Sequence, residues 1–260
     1  AVSGLSVYNG PFENFLMDVK RIPTPDGNNI QEILNQLKEI IANNKVAGFV
    51  YEPLVQGAAG MKIHDANGLA EILKFCKENS VLTIADEVMT GFGKTGKYFA
   101  SDYIETKPDI ICLSKALTAG LMPMAITSCT QDIYDAFLSN DISKGMFHCH
   151  TYCANPLACT AALASVELLQ SDTIQKNIEG IIASHKVFNK RIENHPKVKS
   201  TRQLGIIFAL DLNTEMERYG SLRDKLLQCF MAHGVLLRTL GNTIYIQVHY
   251  VVTKEEKEEV

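Results

Sequence analysis

Two charged side chains that could do chemistry follow apolar segments of the chain. Asp86 comes directly after Val81-Leu-Thr-Ile-Ala85, and Lys115 ends the run Ile110-Ile-Cys-Leu-Ser-Lys115. Both runs are rich in β-branched residues and predict buried strands. Open α/β sheets bind ligands at the carboxyl ends of their strands, so these positions indicate a candidate site. Taken singly, Asp86 could equally be a helix cap, and Lys115 a surface lysine whose stem lies on apolar neighbours.

The pair is more informative than either residue alone, because a carboxylate and a lysine can serve the two ends of one cofactor. Pyridoxal 5'-phosphate has this requirement. Its aldehyde forms a Schiff base with a lysine amine that must be tuned toward neutrality, and its ring nitrogen needs a carboxylate partner to stay protonated. The sequence therefore favours Lys115 and Asp86 as residues of a pyridoxal-phosphate site.

A glycine pattern beside Asp86 fits two nucleotide-binding motifs but lacks their context. Gly91-Phe-Gly-Lys-Thr-Gly96 matches G-x-G-x-x-G, and adding Lys97 nearly completes a P-loop. Tyr98 stands where a P-loop needs a small hydroxyl for Mg²⁺, and residues 86–90 separate the glycines from the preceding strand. A P-loop NTPase, which ATP would stabilise, is an alternative that these mismatches disfavour.

Four motifs are similar to those of one enzyme family. They are Glu52-Pro-Leu-Val-Gln-Gly-Ala-Ala-Gly-Met61, Ala85-Asp-Glu-Val-Met-Thr-Gly-Phe-Gly-Lys-Thr-Gly96, Pro108-Asp-Ile-Ile-Cys-Leu-Ser-Lys-Ala-Leu-Thr118 and His148-Cys-His-Thr-Tyr-Cys-Ala-Asn-Pro-Leu-Ala-Cys159. By their order and spacing the chain resembles the class III, fold-type I, pyridoxal-phosphate-dependent aminotransferases. Within that family the motifs most resemble the branch that converts 8-amino-7-oxononanoate to 7,8-diaminononanoate in biotin biosynthesis. The alternatives are another class III ω-aminotransferase, of the ornithine or 4-aminobutyrate type, and a non-catalytic fragment or scaffold-like domain with the same fold.

The resemblance implies roles for five residues. Lys115 would be the Schiff-base lysine and the base that moves a proton between substrate and cofactor carbons, Asp86 would bind the pyridine nitrogen, and Val88 would pack against the ring. Thr151 would reach the phosphate of the neighbouring subunit's cofactor, which implies a homodimer with shared active sites. Arg238 would receive the substrate carboxylate, a task suited to a planar guanidinium. In the plainer interpretation, Val88 is a core valine, Thr151 a turn residue and Arg238 part of a surface ion pair.

Three positions depart from the family pattern, and one part of that pattern has no counterpart. Lys94 replaces the usual Arg of the glycine-rich turn, Cys149 replaces a Gly, and Val248-His249-Tyr250 stands for Pro-Pro-Tyr. The expected substrates are a small keto acid and an amino donor. S-adenosylmethionine is a candidate donor, but the replacement of Arg by Lys94 leaves the identity of the donor open. The family's N-terminal portion, with a phosphate-binding Gly/Ser turn and a ring-stacking aromatic, is not found. A chain of this length alone is therefore expected to bind the cofactor weakly and to show little or no activity.

Cysteines and histidines cluster in one short segment without forming a complete metal motif. His148, Cys149, His150 and Cys153 are close in sequence, but structural zinc usually needs a second ligand pair, so no metal is expected. The seven Cys are an odd number, and several lie inside apolar runs, where a thiol behaves as a small hydrophobe. A reduced, cytoplasmic protein is the simpler interpretation.

The alternation of apolar β-branched runs with segments of helical period predicts an α/β fold with a mostly parallel sheet. Residues 1–170 are expected to form a large pyridoxal-phosphate-binding domain, incomplete at its N-terminus, and residues 171–260 a smaller α+β domain truncated at its C-terminus. The predicted strands are Val46–Tyr51, Val81–Ala85, Asp109–Leu113, Met122–Ser128 and Ile206–Leu212, with a hairpin around Gly241-Asn242. The predicted helices are Asp65–Glu78, Thr130–Leu138, Pro156–Gln170, Ser171–His195 and Arg218–His233.

Composition and charge exclude several classes of protein. The 260 residues are 46% apolar and 21% charged, which allows a buried core and excludes disorder and collagen-like repeats. A net charge of −4 gives no reason to expect nucleic acid or an anionic membrane as a partner. Gly145–Val166 lacks charged residues, but its histidines, Asn155 and Pro156 argue against a membrane helix. The chain begins at Ala1 without a Met and ends in a charged run, so a fragment at both ends is expected.

Overall fold

The computed structural model describes residues 2–4 and 9–259. Ala1, from which the sequence analysis partly infers a fragment, lies outside these residues. The strands are β1 (Gly48–Tyr51), β2 (Val55–Gln56), β3 (Lys62–Ile63), β4 (Leu82–Asp86), β5 (Ile110–Leu113), β6 (Ile126–Cys129), β7 (Val198–Leu204), β8 (Ile207–Leu212), β9 (Thr239–Leu240) and β10 (Thr243–Ile246). The helices are α1 (Ile30–Asn43), α2 (Ala66–Glu78), α3 (Gln131–Asp135), α4 (Pro156–Leu169), α5 (Asp172–Ile192), α6 (Ser221–Ala232) and α7 (Lys254–Glu259). None of these helices is long and apolar enough to cross a membrane.

The first sheet has the strand order β1-β4-β5-β6, and the first three strands are parallel. The fourth strand differs from the mostly parallel arrangement expected for this region, since β6 runs antiparallel to β5 with Leu113 opposite Ile126. Ala119 and Gly120 both have positive φ, +50° and +84°, and this left-handed pair helps to reverse the chain between the two strands. The predicted strand from Met122 accordingly begins only at Ile126. The fold class, α/β, is as expected.

The helix boundaries follow from local capping. Asn155 accepts hydrogen bonds from the Leu157 and Ala158 N–H groups, and Pro156 occupies the first helical position, which confirms the predicted start of α4. The Ser171 hydroxyl likewise accepts from the Ile174 N–H at the start of α5. The helices α3 and α6 are shorter than predicted, five residues for α3 and twelve for α6.

The second sheet has the order β7-β8-β10-β9, and all of its pairs are antiparallel. The hairpin predicted around Gly241-Asn242 is the β9–β10 pair. The sequence pattern does not indicate β7, because Val198-Lys-Ser-Thr-Arg-Gln-Leu204 is largely polar and gains its strand conformation by pairing with the apolar β8. The sequence analysis also omits the short β2–β3 hairpin and α1, although Ile33 and Leu37 of α1 have helical spacing and are buried.

One hydrophobic core joins the two sheets. Tyr51 and Ala85 of the first sheet and Leu73 of α2 pack in a single buried cluster with Ile207 and Ala209 of β8. Burial of apolar surface on this scale is the main force that stabilises such an arrangement. The strands that end in the candidate residues are therefore held directly against the second sheet. The proposed domain division at residues 170 and 171 stays a prediction.

Candidate active site

Three parallel strands bring Glu52, Asp86 and Lys115 to one edge of the first sheet. Tyr51, which precedes Glu52, is paired with Ala85, and Asp86 is paired with Cys112, three residues before Lys115. Asp86 and Lys115 both lie close enough to Glu52 for their charges to act on its carboxyl. The strand-end placement predicted for Asp86 is what the fold produces, whereas Lys115 lies two residues beyond β5, which ends at Leu113. Glu52 directly follows β1 at the same edge.

Asp86 is half-buried and its orientation is fixed locally. Its Oδ1 accepts a hydrogen bond of 3.0 Å from the Val88 N–H, so one carboxylate oxygen is tied to the turn that follows β4. Val88 is half-buried in this turn. The second oxygen of Asp86 is left for another partner at the sheet edge.

Glu87 anchors the same turn from inside the protein. Its side chain is fully buried, and its carboxylate accepts from the Thr90 hydroxyl at 2.7 Å and from the Ala100 and Ser101 N–H groups at 3.0 and 2.7 Å. Buried carboxylates are tolerated when hydrogen bonds satisfy them in this way. The sequence pattern assigns no role to Glu87, because the groups that satisfy it come from a turn more than ten residues later.

Lys115 is exposed and has an unusual backbone conformation. It is the first residue of a 3-10 turn, Lys115–Thr118, and its φ is +47°. A left-handed conformation costs a residue with a Cβ roughly 1–2 kcal/mol, so the surrounding contacts must hold it. Two hydroxyls do so: Ser114 Oγ donates to the Met124 carbonyl at 2.7 Å, and Thr118 Oγ1 donates to the Met122 carbonyl at 2.6 Å.

Glu52 is a site residue that the sequence pattern does not single out. Burial raises the pKa of its carboxyl, and the neighbouring charge of Asp86 adds to this effect, while the hydrogen bond from the Gly57 N–H (2.9 Å) and the charge of Lys115 lower it. Burial is the largest of these effects, so the environment disfavours the charged form of this carboxyl. The available signal was its position, directly after a strand, as for Asp86.

The glycine-rich turn has a structural use that explains its composition. The Lys94 carbonyl accepts from the Ile206 N–H at 3.0 Å, and a Cβ on Gly205 would lie 2.2 Å from the Thr95 carbonyl carbon. Backbone therefore meets backbone here, and a side chain would not fit at Gly205. This contact joins the turn to the loop between β7 and β8 and explains why residue 205 is a glycine. Within the turn, Gly93 and Gly96 have φ of +91° and +90°, values that favour glycine.

Lys94 lies within that turn, where most of its side chain is covered. Its Nζ is 4.6 Å from the centre of the Tyr250 ring, and the Tyr250 hydroxyl donates to the Phe92 carbonyl at 2.6 Å. Burial lowers the pKa of Lys94 to about 8. Lys94, a departure from the family pattern, thus contacts Tyr250, the residue at which the Val248-His249-Tyr250 segment keeps the Tyr of Pro-Pro-Tyr.

Arg238 and Thr151 are placed apart from the strand-end group. Arg238 is exposed just before β9 and lines an open surface cavity of about 340 Å³ together with Leu236, Leu237, Tyr245 and Gln247. Thr151 is exposed in the turn that precedes α4. Among the described residues, no hydrogen bond or ion pair joins Thr151 or Arg238 to Asp86 or Lys115.

Comparison with known proteins covers the whole chain. Residues 1–260 match the family described as aminotransferase class III. The chain is 38% identical to the adenosylmethionine-8-amino-7-oxononanoate aminotransferase of Synechococcus elongatus, over 100% of this chain and 63% of that protein. It is 32% identical to the protein of the same name from Staphylococcus aureus, over 99% of this chain and 61% of that one.

A solved structure agrees with the sequence comparison. The adenosylmethionine-8-amino-7-oxononanoate aminotransferase of Methanocaldococcus jannaschii is similar with a TM-score of 0.88 at 29% identity, over 96% of this chain and 60% of that one. The chain therefore spans about three fifths of the length of these relatives.

Proposed function

Because the chain belongs to the class III aminotransferase family, we propose that it carries the pyridoxal-phosphate site of an enzyme that aminates 8-amino-7-oxononanoate to 7,8-diaminononanoate in biotin biosynthesis. Class III aminotransferases in general depend on pyridoxal phosphate. One observation carries the proposal: Asp86 ends β4, and Lys115 follows the end of the adjacent parallel strand β5 by two residues, in a chain that matches the family throughout. The names of the relatives support the choice of keto acid.

The strand-end residues fit the chemical demands of the cofactor. When bound, pyridoxal phosphate supplies an aldehyde that condenses with amines and a pyridinium ring that withdraws electrons from the neighbouring carbon. Asp86 offers a carboxylate oxygen that the turn does not use, and Lys115 offers a primary amine at the same sheet edge. Asp86 would hold the ring nitrogen, Val88 would lie against the ring, and Lys115 would receive the aldehyde.

The chemistry of the two strand-end groups supports these roles. A pyridine nitrogen stays protonated when an ionised carboxylate accepts its N–H. Asp86 would supply this carboxylate, and its Oδ1 is already held by the Val88 N–H. The exposed side chain of Lys115 would act as a neutral amine that accepts a proton from one carbon and returns it to another.

Arg238 near the C-terminal sheet is proposed to bind the substrate carboxylate, and Thr151 of a second subunit is proposed to bind the cofactor phosphate. Arg238 would bind the carboxylate of the keto acid at the cavity that it shares with Tyr245. Thr151, on its exposed turn, would reach the phosphate held by a neighbouring copy, which makes the working enzyme a homodimer. The amino donor is proposed to be S-adenosylmethionine, and the protein is proposed to act in the cytoplasm. The family resemblance supports these assignments.

A substrate panel tests the proposed reaction. Because this chain alone is expected to show little or no activity, the full-length enzyme that contains it is loaded with pyridoxal phosphate and given 8-amino-7-oxononanoate with S-adenosylmethionine, and 7,8-diaminononanoate is detected by mass spectrometry. Parallel reactions supply ornithine or 4-aminobutyrate as the amine and 2-oxoglutarate as the amino acceptor. Formation of the diamine supports the proposal, whereas turnover of ornithine or 4-aminobutyrate without diamine formation would favour the ω-aminotransferase alternative. Arg238→Met should raise the KM for the keto acid, and Arg191→Met, an exposed change near the end of α5, should not.

A further inference from the structure

The loop between β2 and β3, residues 57–61, lies between the two halves of the proposed site. On one side Gly57 is so close to Met89 that an added Cβ would be 2.5 Å from its Sδ, and the Gly57 N–H donates to Glu52 Oε2 at 2.9 Å. Met89 belongs to the turn that follows Asp86. The loop thus contacts both the Asp86 turn and Glu52.

On its other side the loop is held by Arg202 of β7. Gly60 and Met61 have consecutive positive φ values, +85° and +53°, and both of their carbonyl oxygens accept from the Arg202 guanidinium. The Nε of Arg202 donates to the Met61 carbonyl at 2.9 Å, and Nη2 donates to the Gly60 carbonyl. Met61 has a Cβ and is strained at this φ, whereas glycine adopts it freely, so the Arg202 contacts to both carbonyls indicate that the cation fixes the shape of the loop.

Asp211 of β8 connects the contact between Arg202 and the loop to β10, the strand that contributes Tyr245 to the cavity beside Arg238. Its two oxygens accept from Nη1 and Nη2 of Arg202 at 2.8 and 2.9 Å, a bidentate pair. The Thr243 hydroxyl donates to Asp211 Oδ1 at 2.7 Å, and the Ser200 hydroxyl donates to Oδ2 at 2.8 Å. Thr243 opens β10, two residues before Tyr245 in the cavity wall.

We propose that Arg202 is a positioning residue which, with Asp211, fixes the 57–61 loop against the second sheet and so sets the spacing between the Asp86–Lys115 edge and the Arg238–Tyr245 cavity. The inference rests on the proposed function, because that spacing selects keto acids by the distance between their ketone and their carboxylate. Arg202 touches neither the cofactor residues nor Arg238 and acts only through the loop and β10. The ion pair is only partly exposed, 20% for the Arg202 side chain and 22% for Asp211, so water screens it less than a surface pair.

Variants of the pair separate positioning from simple stability. Arg202→Met removes the side-chain hydrogen bonds to the loop. Arg202→Lys keeps the positive charge but not the bidentate guanidinium. Asp211→Asn removes the negative charge and keeps the shape of the side chain. Arg223→Met is the matched control, because it removes an Arg–Asp pair of 3.9 Å within α6. Amide hydrogen exchange at residues 57–63 is measured in each protein. We expect faster exchange at residues 57–63 in Arg202→Met and Asp211→Asn, but not in Arg223→Met. If Arg202→Met does not fold, Arg202→Lys and Asp211→Asn show whether the ion pair fixes the loop.

Steady-state kinetics then test the effect on substrate choice. Arg202→Met should raise the KM for 8-amino-7-oxononanoate about tenfold with little change in kcat, and it should reduce the preference for this substrate over the shorter 4-oxopentanoate. Arg202→Lys should restore part of that preference. Unchanged loop exchange, or an equal loss with long and short keto acids, would overturn the proposal. These kinetics use the full-length enzyme that contains this chain, because the chain alone is expected to show little or no activity. If that enzyme without substitutions aminates neither keto acid, the proposed function fails, while hydrogen exchange still decides whether Arg202 fixes the loop.

Discussion

The Lys94 ammonium lies 4.6 Å from the centre of the Tyr250 ring, and the Tyr250 hydroxyl is bonded to the carbonyl of Phe92 in the same turn as Lys94. Burial opposes the charged form of Lys94 and lowers its pKa to about 8, while the ring face favours the cation. Lys94 is therefore a lysine that is partly neutral at mildly alkaline pH, placed beside the turn that follows Asp86.

This relationship predicts a pH-dependent effect of Lys94→Met on the free energy of unfolding. The folded-state pKa lies below the unfolded value, so the unfolded chain binds more protons between the two, and stability should rise as pH increases through about 8 toward 10.5. Lys94→Met should remove this rise and be more stable than the parent near neutrality. Urea unfolding at several pH values measures the free energy of unfolding of both proteins.

Lys97→Met is the matched control for Lys94, since Lys97 also lies over a tyrosine ring, 4.3 Å from the centre of Tyr103, but is exposed. This control should not alter the pH profile of stability. A Lys94→Met protein that is less stable than the parent near neutrality would mean that the contact with the ring outweighs the cost of burying the charge.

Replacing Asp86 by Asn tests the charge at the sheet edge without changing its shape. The Asn oxygen can still accept from the Val88 N–H, so the free energy of unfolding should change by no more than about 0.5 kcal/mol. The transaminase rate should fall by about 10² or more, because a neutral amide cannot stabilise a protonated ring nitrogen. Asp102→Asn removes a carboxylate that also accepts a turn N–H, that of Phe99, and should leave the rate unchanged. Full activity of Asp86→Asn would exclude the assigned role.

Glu87→Gln should destabilise the protein by about 1–3 kcal/mol, because one of its three donors would then face an NH₂ group in a fully buried site. Urea denaturation gives the value directly, with Glu71→Gln, on an exposed face of α2, as the control. Equal stability of Glu87→Gln and the parent would contradict the requirement for a carboxylate at this position.

Local patterns were sufficient to predict some parts of the fold and not others. The strands ending at Asp86 and Lys115 are apolar runs, and α4 begins behind an Asn-Pro cap, so the sequence near each feature specifies it. The antiparallel direction of β6 depends on the backbone between it and β5, which periodicity does not reveal. The polar β7 is a strand only because β8 pairs with it.

The same limit applies to the candidate site. Asp86 and Lys115 were predictable because each lies at or just after the end of an apolar strand, whereas Glu52 becomes notable only when β1 is known to lie beside β4. The contact between Arg202 and Met61 joins residues 141 positions apart, and no local signal in either segment indicates it. Residues that act through tertiary contacts need the three-dimensional structure.

Borohydride trapping tests the central claim most directly. The chain is incubated with pyridoxal phosphate, reduced with borohydride and digested, and the modified peptide is identified by mass spectrometry. Lys115→Ala and Lys176→Ala, the second on an exposed position of α5, are treated in parallel. Label confined to Lys115, lost in Lys115→Ala and kept in Lys176→Ala, is the predicted result. Label spread over exposed lysines, and equal in all three proteins, would contradict the assignment of Lys115 to the cofactor.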